Sequence, residues 1–301
     1  MTEGVFASED IRAPHPAEPG RRRPRSTWLG VVPFFLFAGL FLLIPVLYLT
    51  IGSFQNAAGD WTIQNYLDLS TPATLEAYKT SIEISLVTAL AGAGFGFLLA
   101  YAIIGGGLPR RLRGGVMTFS GVASNFAGIP LALAFIFTIG RAGLLSAALR
   151  NLGFDPYAGS FSLYTKLGLE IVYFYFQLPL MVLIIAPAID GLKREWREAS
   201  ENMGASSRQF WWYIGLPVLT PPILGATILL FGNAFGAQAT AYQLTGGLLP
   251  IVTILIGDQL QGDVLHNVGL GYALAMGMVL IMGLTLIAYT FLQRRSERWM
   301  R

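Results

Sequence analysis

Six times along the chain, polar residues give way to an apolar run. The runs cover about 28–52, 81–104, 115–139, 166–189, 213–236 and 267–292. A bilayer's hydrocarbon core is crossed by about 20 mostly apolar residues in helical form. Lipid offers backbone N–H and C=O groups no partner, so each run predicts a helix that satisfies its own main chain. Pro217, Pro221 and Pro222 interrupt the start of the fifth run, which predicts a bent helix there.

The connecting segments carry their own patterns. Residues 144–152 are amphipathic and stop at Gly153, which predicts a short helix lying on the membrane surface. Residues 240–265 are too apolar for a free loop, so they are expected to fold back against the helices. Gly92, Gly94 and Gly96 in the second run, and Gly232 and Gly236 in the fifth, permit close helix approach. The 92–96 stretch looks superficially like a dinucleotide fingerprint. It sits mid-span and opens no phosphate-facing helix, so packing is the better reading.

Composition sharpens this picture. Of 301 residues, 54% are hydrophobic and 12% charged, against about 25% charged in an average soluble chain. The net charge of +3 and pI near 9.2 do not mark a nucleic-acid surface, because the basic residues sit beside apolar runs. There is no cysteine, which excludes disulfides, thiolate zinc sites and iron–sulfur clusters. Residues 1–27 are polar and rich in Pro and Arg and read as a disordered tail. The run that follows is too long for a signal-peptide core and ends without a small-x-small cleavage pattern, so an uncleaved first span is expected. Residues 28–301 then form one six-helix membrane domain.

Lys and Arg are unevenly shared between loops. The segments before the first run, at 105–114, at 190–212 and after the last run hold 16 of the 20, while Lys79, Arg141, Arg150 and Lys166 occupy the alternate loops. Basic loops stay in the cytoplasm. Both termini and the 190–212 loop are therefore expected inside a bacterial cytoplasmic membrane.

That loop is the most informative stretch. Arg194 and Glu198, and Arg197 and Glu201, are four apart on one face, and Trp196, Ala199 and Met203 make an apolar stripe at helical spacing. Gly204 suits a left-handed helix end, and Ser206 with Gln209 suits a capping box. A helix, a sharp turn and a second helix entering the fifth span are predicted.

Glu198-Ala199-Ser200, three residues, Gly204, nine residues, Ile214, one residue and Leu216-Pro217 resemble the EAA loop of permease subunits of binding-protein-dependent ABC importers. The family pattern has Ala where this chain has Ser200. The likeness extends over the six spans but not over the N-terminal tail. It implies an all-α, type I (MetI-like) permease fold with a cytoplasmic coupling helix in the loop 193–217. By that resemblance, Glu198 and Gly204 position the loop on a separate ATPase, Ala199, Met203 and Ala205 dock, and Ser200, Ile214, Leu216 and Pro217 complete the motif. The implied partners are a cytoplasmic ABC ATPase dimer, a second permease (a sister chain or a copy) and an extracytoplasmic binding protein. ATP and Mg belong to the ATPase: the chain shows no G-x-x-x-x-G-K-[ST] loop and is expected to bind no cofactor itself.

Polar residues at membrane depth are costly and mark candidate pathway positions. These are Asn125, Tyr173, Gln177, Asn233 and Gln238, with interhelical hydrogen bonding as the competing reading. Acidic outer loops lean toward a cation, and Leu244-Thr245-Gly246-Gly247 resembles both polyamine-type and sugar-type permeases. The spermidine/putrescine-type branch is the nearer resemblance, with a sugar-type permease or a stand-alone secondary transporter as alternatives. An enzyme is disfavoured. The two histidines, His15 and His266, belong to no catalytic or metal-binding grouping.

Overall fold

The computed structural model describes residues 30–159, 161–261 and 266–297. The expected tail 1–27 lies outside them. Among the described residues the chain is helical, with an isolated antiparallel bridge between Gln55 and Trp61 and no strand. It divides into a unit ending at Leu47 and one beginning at Tyr48. The first holds most of α1 (Val32–Gly52), where the rings of Phe37 and Phe41 meet one turn apart at 5.0 Å.

The second unit continues with α2 (Gln64–Asp68) and α3 (Pro72–Gly105). The apolar run foretold only 81–104. The amphipathic residues before it extend the helix outward, starting from Pro72 in the first turn, where a missing N–H costs nothing. Next come α4 (Arg110–Asn125), α5 (Gly128–Ile139), α6 (Leu144–Asn151) and α7 (Lys166–Asp190). The short α6 is the expected amphipathic helix, with Leu144 and Leu152 exposed at its two ends.

The expected continuous third span over 115–139 is instead two helices. Pro130 has no N–H to return to the Phe126 carbonyl, and Gly128 takes φ +72, so the chain breaks at Phe126–Ala127. Arg113, at the head of α4, pairs with Asp190 at the foot of α7. The ring of Phe135 in α5 lies edge-on to Tyr175 of α7 at 5.5 Å. Thus α4 and α5 run one after the other beside α7.

After α7 come α8 (Arg194–Asn202) and α9, the fifth span, from Ser207 to Phe235. It starts six residues earlier than expected, because the capped turn before the prolines already belongs to it. Residues 238–261 form α10 (Gln238–Thr245) and α11 (Val252–Gln261), followed by α12 (Val268–Glu297). As expected, 240–261 folds back: Ala241, Leu244, Ile251 and Val252 are buried, and the Val252 N–H donates to Ser81 Oγ at 2.9 Å.

The interior is made where α3, α7 and α9 meet. One cluster joins Ala93, Ala100 and Ile103 to Met181, Ile185, Leu219 and Leu230; another joins Ile84 to Leu169, Phe176, Ala234 and Ile254. Small residues make this possible. A Cβ on Gly92 would stand 2.8 Å from Gln177 Cβ, and one on Gly96 would stand 2.6 Å from Met181 Cβ. Gly94 points elsewhere, and a Cβ there would meet nothing within 4 Å among the described residues. Gly232 faces Met282 of α12 in the same way.

Candidate functional site

The loop between the fourth and fifth spans is a two-helix hairpin, as its sequence indicates. The four-apart pairs on α8 both form, Arg194 Nε to Glu198 at 2.8 Å and Arg197 Nε to Glu201 at 3.0 Å. Lys193 Nζ stands 5.8 Å over the Trp196 ring. The helix ends at Met203, and Gly204 takes φ +80. The Gly204 N–H donates to Glu201 O and the Ala205 N–H to Ser200 O, each at 2.9 Å. These bonds satisfy the last carbonyls of α8 and turn the chain sharply. Ser206 and Gln209 then form a full capping box, which restarts the helix.

The motif residues divide by exposure. Glu198, Ala199 and Met203 are exposed, Met203 at 80%, while Ala205 is half-buried. Ser200 is buried, and its hydroxyl donates to Arg197 O at 2.8 Å. The hydroxyl that departs from the family's Ala is therefore satisfied within its own helix. Ile214 and Leu216 are half-buried and Pro217 is exposed. Phe210, absent from the motif, is buried at the root of the hairpin, and beside it Trp211 packs edge-on against Tyr101 at the end of α3, 4.8 Å between ring centres. The aromatic run 210–213 was the available signal, but its partner on α3 was invisible in sequence.

The second site is a cavity of about 490 Å³ where two breaks face each other. One is the Phe126–Ala127 break of the third span; the other is the Gly236–Ala237 break between α9 and α10. Asn125, Asn233 and Gln238 all line it, together with Ser124 and Thr240. Three residues far apart in sequence, singled out for polarity alone, thus come together. Gln238 lies beyond the fifth span, at the first turn of α10. The breaks are joined by Thr240: its Oγ1 accepts the Gly128 N–H at 2.9 Å and donates to the Gly128 carbonyl at 3.3 Å.

Tyr173 and Gln177 do not line the cavity. The buried Tyr173 hydroxyl donates to the Ala237 carbonyl, so it braces one break from behind. Gln177, 0% exposed, turns to α3 and donates from Nε2 to Thr88 Oγ1 at 3.3 Å, and its Oε1 has no partner among the described residues. At the far end of the helices, Glu83 is paired with Lys166 rather than free. No group of three metal-ligating side chains occurs among the described residues.

Irregular backbone between membrane helices is tolerated only where it is buried in protein or lines a water-filled cavity, and here two such breaks border one cavity between helices. The particular family follows from comparison with known proteins. Residues 92–301, more than half of the chain, match the family described as "Binding-protein-dependent transport system inner membrane component". The chain belongs to that family: it is a multi-pass membrane protein and the permease component of an ABC importer of type I fold. It is 24% identical over 232 residues to the sulfate transport system permease protein CysT of Escherichia coli, covering 75% of this chain and 78% of the relative. It is 26% identical over 278 residues to the spermidine/putrescine transport system permease protein PotB of Haemophilus influenzae, covering 85% and 88%. Among solved structures, a bacterial ABC transporter importing the acidic polysaccharide alginate is similar at TM-score 0.70 and 16% identity, covering 89% of this chain and 94% of that one. An inward-facing MetNI methionine transporter gives TM-score 0.54 at 16% identity, covering 74% and 96%. These structural likenesses are of fold.

Proposed function

We propose that the hairpin 193–217 is a cytoplasmic lever pushed by a separate ATPase, and that the cavity beside Asn233 is a station on the solute's path. The observation that carries the first half is the shape of the hairpin. It is a helix stopped by Gly204 and restarted by the Ser206 cap, with Ala199 and Met203 exposed on it. Exposed apolar side chains on a braced polar hairpin gain free energy by docking in a groove. In this reading Glu198 and Gly204 set the hairpin's pose, Ala199, Met203 and Ala205 dock, and ATP and Mg are used by the partner. A second permease chain and an extracytoplasmic binding protein complete the assembly. The alginate transporter has been solved in complex with a substrate-bound periplasmic protein, which supports a partner of that kind.

The second half rests on Asn125, Asn233 and Gln238 sharing one cavity. Among the described residues no Asp or Glu lines it. A polyamine crossing here would find no carboxylate, so the lining supports a small polar solute held by neutral hydrogen-bonding groups over a polyamine. Both termini and the hairpin face the cytoplasm, by the distribution of Lys and Arg.

The test is topological. The natural chain has no cysteine, so Arg197→Cys and Arg208→Cys each place a single thiol on the hairpin. Neither thiol should react with a membrane-impermeant maleimide in intact cells, and both should react after permeabilisation. Labelling in intact cells would place the hairpin outside, where no ATPase could reach it.

A further inference from the structure

Between the capped turn and the membrane-embedded part of α9, the helix is wound differently. The Leu216 N–H bonds to the Trp211 carbonyl, five residues back instead of four. Pro217 explains the widening. It has no N–H for the Tyr213 carbonyl, and in an ordinary α-turn its ring would crowd that carbonyl. Such wide turns are local, costly departures that concentrate at functional positions.

The widened turn is also where the hairpin touches another span. Trp211 is held from three directions. Phe210, buried, meets it edge-on at 5.9 Å. Gly215, also buried, presents its bare Cα to the indole; a Cβ there would stand 2.6 Å from Trp211 Cε3. Tyr101, one turn from the end of α3, meets the indole at 4.8 Å and 82°. Tyr101 is itself seated over a glycine: a Cβ on Gly105 would stand 2.9 Å from Tyr101 Cε2. Two aromatic rings, each resting on a glycine of its own helix, thus form the contact between hairpin root and second span. None of these four residues belongs to the EAA pattern.

We propose that Tyr101 and Trp211 form the joint through which movement of the hairpin is passed to α3, with the wide turn Trp211–Gly215 as its hinge. The inference rests on the coupling reading above. An edge-to-face pair transmits a push because it is close-packed on both sides, and the wide turn lets α8 and the capped turn tilt without unwinding α9. Tyr101 and Trp211 are positioning residues. They contact neither solute nor ATP.

The experiment uses the full chain in its complex, co-expressed with its partner ATPase and second permease and reconstituted into liposomes. Tyr101→Leu, Trp211→Leu and Gly215→Ala are compared with the conservative Trp211→Phe. Assembly is checked by co-purification, and ATP hydrolysis and solute uptake are measured on the same vesicles. Solute moved per ATP should fall several-fold in the first three variants and stay near normal in Trp211→Phe. The Tyr101→Leu/Trp211→Leu double variant should be no worse than the worse single one, because one contact is lost in all three. Hydrolysis and uptake falling in equal proportion, or single losses that multiply in the double variant, would overturn the joint and leave the coupling reading standing. Failure of the unaltered chain to co-purify with any ATPase would remove the coupling reading, and the joint with it.

Discussion

Thr240 Oγ1 and the Gly128 main chain exchange two hydrogen bonds across the gap between α10 and α5, at 2.9 and 3.3 Å. One hydroxyl, as acceptor and donor, serves both main-chain groups of the residue that opens α5. The N–H that opens α5 has no partner within its own helix, so the Thr240 hydroxyl supplies one.

Thr240→Val keeps the shape and removes both bonds. Interhelical hydrogen bonds in membranes average about 0.6 kcal/mol and reach about 1.7 kcal/mol. The cavity also lets water reach a bereaved Gly128 N–H. Stability in detergent should therefore fall by about 1 kcal/mol or less, read as a small drop in melting temperature. Uptake should fall further than stability, because the cavity wall loses its tie, and Thr240→Ser should restore both. A Thr240→Val chain with normal uptake would show that the tie has no part in transport.

Accessibility tests the cavity directly. Asn233→Cys and Gln238→Cys introduce thiols into a chain that has none, at exposed positions lining the cavity. Both should react with small hydrophilic thiol reagents, and reaction should block uptake. Gln177→Cys, buried against α3, should not react. Equal labelling of all three would dissolve the distinction between cavity and helix contact.

What the sequence makes legible follows from how local each cause is. The hairpin could be read almost residue by residue, because its causes lie within four residues: the pairs Arg194–Glu198 and Arg197–Glu201, the left-handed Gly204 and the Ser206–Gln209 box. The spans were legible because hydropathy over about 20 residues is decided by the solvent alone. The break at Phe126–Ala127 was missed although Gly128 and Pro130 announce it, since an apolar window averages over such signals. The cavity was half visible: polarity at depth picked out Asn125, Asn233 and Gln238, but the same rule also picked out Gln177 and Tyr173, which serve packing. Only tertiary contact separates the two groups.

The glycine run in α3 makes that same separation quantitative. Gly92→Ala and Gly96→Ala would push a methyl to 2.8 Å from Gln177 Cβ and 2.6 Å from Met181 Cβ. Overpacking of this kind costs about 1–3 kcal/mol. Gly94→Ala meets nothing within 4 Å and should gain up to about 1 kcal/mol from helix propensity. Melting temperatures of the three purified variants should fall, fall and hold or rise, respectively. A destabilised Gly94→Ala chain would contradict the packing of α3 against α7.

Gly204 offers a test in which strain and function can be told apart. At φ +80 an alanine is strained by about 1–2 kcal/mol, yet its Cβ would meet nothing within 4 Å. Gly153, just after α6, has φ +86 and equally open surroundings. Gly153→Ala therefore imposes a like backbone cost at a place outside the hairpin proposed to meet the ATPase. Both variants should insert and fold. Only Gly204→Ala should lose uptake and hold its ATPase more weakly on co-purification, because the strain there can be relieved only by changing the angle at which α8 leaves the turn. Glu198→Lys should weaken the ATPase complex as well, by reversing a charge on the exposed face next to Ala199 while leaving the turn intact. If Gly204→Ala and Gly153→Ala behaved alike in uptake and in ATPase retention, the hairpin would be an ordinary surface loop, and the energy for transport would have to enter the bundle elsewhere.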